Sequence, residues 1–154
     1  MTTTELLTAR WIEKSGKSPE ATFLKARQAA NEVLKQNAGS PEVYAGLAEL
    51  DRYDAEWRLR TNQPAVVVLE EGLQYTSKAL RLNPQMGAAL VTRAALLILK
   101  ARATAEPVLR ARLAGQAKEA VERAIKINRN GEPTWMPILV TAGELSSTQA
   151  SRSR

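Results

Sequence analysis

The sequence predicts an all-α protein built from antiparallel helix pairs, and three observations carry that prediction. Apolar residues in every patterned segment recur at the helical spacing of about 3.6 residues. Every interruption between segments carries Pro, Gly or Asn, the residues that stop helices and turn chains. The chain also aligns with itself at a period of about 45 residues. Val33-Leu34 returns as Ala79-Leu80 and Ala124-Ile125, Asn37 as Asn83 and Asn128, Pro19 as Pro64 and less regularly Pro107, and Trp11 as Trp57. A period of that size is the mark of a stacked helical array, in which each unit buries its apolar face against the next.

Taken in order, Thr4 to Lys14 places Leu7, Trp11 and Ile12 on one side and reads as a short helix ending before Ser15-Gly16. Ser18-Pro19-Glu20 is a start signal: a capping residue, a first-turn proline and an acid. The helix it opens carries Phe23, Ala26, Ala30, Val33 and Leu34 on one stripe and ends at Gly39. Ser40-Pro41-Glu42 repeats the signal, and a helix with Tyr44, Leu47, Ala48 and Leu50 runs through Trp57 to Leu59. Thr61-Asn62-Gln63 breaks it and Pro64 opens the next. The valine-rich run Ala65 to Leu69 has strand propensity, yet Leu69, Leu73, Thr76, Ala79 and Leu80 continue a helical stripe through it, so helix is expected there.

Pro84 cannot continue that helix and biases Asn83 toward an extended backbone. Gly87 to Ala103 is apolar nearly all round, as in a helix covered on both sides. After a loop at Thr104 to Glu106, Pro107 starts a helix with Leu109, Leu113, Ala117, Ala120, Val121, Ala124 and Ile125 inward. Arg112, Lys118, Arg123 and Lys126 lie opposite. Asn128 to Glu132 is the next break, with Gly131 expected in the left-handed region. Glu132 to Leu145 restarts the pattern with Trp135, Ile138 and Leu139. One domain over residues 1–145 and a disordered polar tail over 146–154 complete the expectation.

Composition narrows the chemistry. The 154 residues contain no Cys and no His, which removes disulfides, thiolate metal sites and the commonest general base. The Glu70-Glu71 pair and the Asp51, Asp54 and Glu56 group find no histidine, phosphate cradle or metal spacing to work with. No catalytic residue, cofactor or metal site is therefore expected, and no enzyme. The start of the chain lacks the basic, apolar and small-residue succession of a signal peptide, and the apolar run Ala94 to Leu99 falls far short of the ~20 residues that span a bilayer. A cytoplasmic protein without a membrane segment is expected. The net charge of +6 is concentrated: residues 93–129 hold 9 Lys/Arg against 3 Asp/Glu, while the rest of the chain is balanced.

Three sets of residues in register resemble the tetratricopeptide (TPR) repeat family. The first-helix pattern falls on Tyr44, Leu47 and Ala48, on Leu90, Arg93 and Ala94, and on Trp135 and Ile138. The second-helix pattern falls on Ala26, Ala30, Val33 and Leu34, on Gly72, Thr76, Ala79, Leu80 and Pro84, and on Ala117, Val121, Ala124 and Ile125. The resemblance covers residues 19–140 and implies a right-handed α-solenoid of about three repeats, incomplete at both ends. These repeats are about 11 residues longer than the usual 34. The longer unit, with Ala9-Arg10-Trp11 echoed by Ala55-Glu56-Trp57, resembles the helical-repeat tails of large bacterial serine/threonine protein kinases, although no kinase motif is present.

The resemblance implies a non-catalytic scaffold that binds a peptide or partner protein in a groove. Its partner-binding positions are Glu42, Glu49, Arg52 and Tyr53 on one helix and Val91, Ala95, Ile98 and Leu99 on the next. The same Val91, Ile98 and Leu99 also fit ordinary core. Ala45, Glu49, Val91 and Ala95 replace the Lys and Asn with which family members clamp a peptide carboxylate, which argues against that mode. The second reading is the sensory or docking tail of a kinase, whose enzyme would lie outside the chain. The third is a nucleic-acid binder using Arg102, Arg110, Arg112, Lys118, Arg123, Lys126 and Arg129, though interleaved aromatics are missing and a solvated face accounts for the same charges. Trp135 to Val140 carries large side chains that want a cover, from self-association, from the chain's own surface near Val91 and Leu99, or from a longer protein.

Overall fold

The computed structural model describes residues 19–147, and they are all-helical, with no strand among them. Six α-helices follow in order: α1 (Glu20–Gln36), α2 (Pro41–Arg60), α3 (Val66–Leu82), α4 (Gly87–Ala103), α5 (Pro107–Ile127) and α6 (Glu132–Ser147), with a 3-10 turn at Arg129–Gly131 before the last. The expected helix at Thr4 to Lys14, including Trp11, lies outside the described residues. The chain divides into two compact units between Asn83 and Pro84. In the first, α1 packs on α2 and α2 on α3; in the second, α4 packs on α5, α5 on α6, and α4 also touches α6.

The helix signals act much as local chemistry dictates. Pro41 and Pro107 occupy first-turn positions, where a missing N–H costs nothing. Ser40 caps α2 by accepting from the Val43 N–H at 3.4 Å, and Glu106 caps α5 by accepting from Val108 N at 2.7 Å and Leu109 N at 2.6 Å. The end of α2 is a left-handed stop. Asn62 has φ 56, Gln63 N donates to Arg58 O at 2.7 Å, and Asn62 N donates to Leu59 O at 3.4 Å, which satisfies two of the helix's last carbonyls. The valine run is helical: Val66 and Val67 are exposed while Val68 and Leu69 are buried, a side-by-side partition that a strand's alternation would not give.

Several boundaries and facings differ from expectation. Helix α1 ends at Gln36 rather than at Gly39, because Asn37 Oδ1 accepts from the Gly39 N–H and folds the chain back as an Asx turn. Val33, expected in the core stripe, is 41% exposed. Helix α3 starts at Val66, with Ala65 as its cap and Pro64 outside it. Ser146 and Ser147 belong to α6, so the expected tail begins too early; residues 148–154 lie outside the described part.

Gly131 is not left-handed. It sits in the 3-10 turn, and its lack of a side chain serves packing instead. A Cβ there would overlap Trp135 Cη2 and Cζ2 and lie 2.6 Å from Cζ3. The same indole edge would lie 3.6 Å from a Cβ on Gly87, so Trp135 rests half-buried between two glycines.

Both cores are built largely on small residues. Ala30, Ala48, Ala55 and Ala79 in the first unit and Ala89, Ala94, Ala101, Ala114, Ala117, Ala124 and Ala142 in the second are wholly buried. Larger anchors stand among them: Phe23, Leu47, Leu50, Trp57 and Leu69 in the first unit, and Leu90, Leu96, Leu97 and Val121 in the second. Helices that meet on alanine approach closely, and their ridges interlock with little room for a larger side chain.

Candidate functional site

The first unit presents one face of α2 on which Glu42, Glu49, Arg52 and Glu56 follow at helical spacing. Glu42 is exposed and its Oε2 accepts from the Ser40 hydroxyl at 3.1 Å. Arg52 is engaged on every side. Its Nη2 meets Glu49 Oε1 at 2.7 Å, its Nε meets Glu49 Oε2 at 3.2 Å, its Nη1 meets Glu56 Oε1 at 2.5 Å, and its guanidinium carbon lies 4.0 Å from the Tyr53 ring centre. Partial burial works against the Arg52 charge, but the two glutamates outweigh it and hold the guanidinium more firmly protonated than usual. Tyr53 in turn packs against Phe23, Ala26 and Leu50, the apolar contact that seats α1 on α2. Glu42, Glu49 and Glu56 therefore carry this face, with Arg52 as the internal counter-ion of Glu49 and Glu56.

In the second unit, Val91, Ala95 and Leu99 are successive turns of one α4 face, each half-buried, while Ile98 is 6% exposed and belongs to that unit's core. The basic residues on α5 divide by role. Arg110 donates to Thr104 O at 2.8 Å and 3.1 Å and so braces the α4–α5 loop, and Arg123 donates to Pro84 O at 2.8 Å. Arg112, Lys118 and Lys126 remain on the exposed side, with Lys118 3.8 Å from Glu122.

The largest concentration of buried charge is one that the sequence had shown only as a loose carboxylate group. Asp51 and Asp54 are both buried on α2. Arg27, from α1, spans them: Nε and Nη2 donate to Asp51 Oδ1 at 3.2 Å and 2.5 Å, and Nη2 donates to Asp54 Oδ2 at 2.9 Å. Arg58 completes Asp54 through Nε to Oδ1 at 2.7 Å. Asp51 Oδ2, by contrast, is buried with no hydrogen-bond partner. Burial pushes the Asp51 carboxyl up to about 6 despite the Arg27 guanidinium, and the negative charges of Glu71 and Asp54 add to the rise. Arg27 loses water too, yet its two carboxylates hold it above the ordinary guanidinium range. Close by, the Tyr44 and Tyr75 rings stack across α2 and α3 at 6.3 Å, and Lys78 Nζ lies 5.4 Å and 5.5 Å from the two ring centres. Tyr75 is pushed up, first by burial and then by the charges of Asp51 and Glu71.

A sequence signal for this cluster exists. Asp51 and Asp54 fall on the same stripe as Leu47, Leu50 and Ala55, so two acids sit where an amphipathic helix places its apolar residues. Their partner could not be read, because Arg27 lies 24 residues away from Asp51 on another helix. Among the described residues no three His, Cys, Asp or Glu side chains converge as a metal site, and no helix is long and apolar enough to cross a membrane. No known protein family matches this chain, and neither a curated protein nor a solved structure matches it significantly.

Proposed function

We propose that this chain is a non-catalytic cytoplasmic interaction scaffold, a TPR-like right-handed α-solenoid that binds a peptide or partner protein. The supporting observation is the repeated helix pair. Helices α2 and α3 in one unit, and α4 and α5 in the other, are packed neighbours joined by short breaks, and each pair falls on one period of the sequence repeat. The first helix of each pair carries the contact positions: Glu42, Glu49, Arg52 and Tyr53 on α2, and Val91, Ala95 and Leu99 on α4, with Ile98 supporting the second set from the core. The acidic residues on α2 suit basic side chains of a partner, and the apolar residues on α4 suit apolar ones.

The test compares the intact protein with two variants, Glu42→Lys combined with Glu49→Lys, and Ala95→Trp, in affinity capture from the source lysate. A partner retained by the native protein and lost from both variants, with unchanged circular dichroism, is the expected result. Equal capture by all three proteins would remove these faces from the reading.

The kinase-tail reading shares this scaffold and is settled by the genomic reading frame, where a kinase domain upstream is either present or not. The nucleic-acid reading draws on the exposed Arg112, Lys118 and Lys126, but Trp135, the only aromatic near them in sequence, has its indole edge between Gly131 and Gly87 rather than presented for base stacking. For self-association, the outward side of α6 offers Met136, Pro137 and Val140, all exposed.

A further inference from the structure

We propose that the contact between α1 and α2 is a proton-operated clasp: Asp51 takes up a proton in mildly acidic solution, and α1 is then held more tightly against α2. The geometry supplies the reason. Asp54 has a donor on each oxygen, Arg27 on one and Arg58 on the other. Asp51 has both Arg27 donors on Oδ1 and nothing on Oδ2, although the whole side chain is buried. An ionised carboxylate in that position keeps one charged oxygen dry and unbonded, which costs far more than burying the neutral acid.

Among the described residues, the charged and titratable groups around Asp51 come from three helices, α1, α2 and α3. Arg27 faces it from α1; Asp54, itself tied to Arg58, stands beside it on α2; Glu71 and Tyr75 act on it from α3. Among the described first neighbours only Arg27 favours the ionised form, and its Nη2 is shared with Asp54. Helix α1 is the element that answers to this balance, because its own apolar hold is slight. It buries Phe23 and two alanines, Ala26 and Ala30, whereas α2 and α3 bury larger sets. Weakly held elements open at the low end of a protein's stability range, and opening α1 would return Asp51 to water.

The sign follows from linkage. The Asp51 carboxyl ionises near 6 in the fold and near 3.8 when freely hydrated, so between those values the folded form binds the extra proton. Stability from this group is therefore gained as pH falls through about 6 and lost as pH rises through it. Between about pH 7.5 and pH 5 the closed-to-open ratio should increase about 10-fold.

Two measurements on the full chain decide the matter. A carbon-13 titration of the Asp51 carboxyl should show a midpoint near 6; a midpoint below about 4.5 would overturn the proposal without any mutation. Amide hydrogen exchange, corrected for its intrinsic pH dependence, should show the 10-fold gain over Glu20–Gln36, with a smaller gain over Val66–Leu82. In Asp51→Asn the gain over α1 should vanish. Persistence of the gain in that variant, or an equal gain across α1 and α3, would overturn the clasp, and a variant that fails to fold leaves the decision to the native titration.

Discussion

Gly131 shows how little room a single position can have. A methyl group there meets the Trp135 ring with no space to spare, so Gly131→Ala should lower stability by about 1–3 kcal/mol through overpacking and shift the Trp135 fluorescence. Gly115, inside α5, has nothing within 4 Å of the same virtual methyl, so Gly115→Ala should raise stability by about 0.5–1 kcal/mol. Chemical denaturation of the two variants side by side checks both signs; a stabilised Gly131→Ala would mean that the indole lies elsewhere. At this scale the sequence was only partly legible. It marked Gly131 as special, but for backbone conformation, because the Trp135 ring that occupies the space comes from the following helix. It also displayed Asp51 and Asp54 on an apolar stripe without revealing Arg27, whose pairing depends on how α1 lies across α2.

Helices were the most legible level, since their signals are local. Pro41, Gly87 and Pro107 begin their helices where the pattern places them, and the breaks at Asn83 and Asn128 fall on C-caps. Ends set by turn chemistry were less so: the Asn37 side chain stops α1 before Gly39 can. The stop of α2 offers a clean test. Asn62 holds a positive φ that a β-branched residue resists, so Asn62→Val should cost about 1–2 kcal/mol, while Asn62→Gly should stay within about 0.5 kcal/mol of the native protein. Thermal melts of the pair measure the difference. Equal melting of Val and Gly variants would show that the left-handed turn contributes nothing to the end of the helix.

For the whole molecule, the all-helical class was readable because every period in the sequence is helical, whereas facing was readable only where a stripe was wide. Val33 is the instructive exception: it continues the stripe of Phe23, Ala26 and Ala30 yet stands 41% exposed, since a stripe shows which residues share a side and not how far the neighbouring helix extends along it. The outward side of α6 gives a test at this scale. Met136→Glu combined with Val140→Glu should leave helicity intact and convert any self-associated species to monomer in analytical ultracentrifugation; an unchanged sedimentation profile from an associated native protein would place the contact elsewhere. The alanine-built cores carry a consequence for how such a chain can change over time. Where Ala79, Ala117 or Ala124 stands, the admissible alphabet shrinks to two or three small residues, while the bulky neighbours can trade among leucine, isoleucine and methionine. The positions with the least freedom to drift are then the smallest side chains in the protein, and tolerance to substitution should rise, not fall, with the size of the residue that is already there.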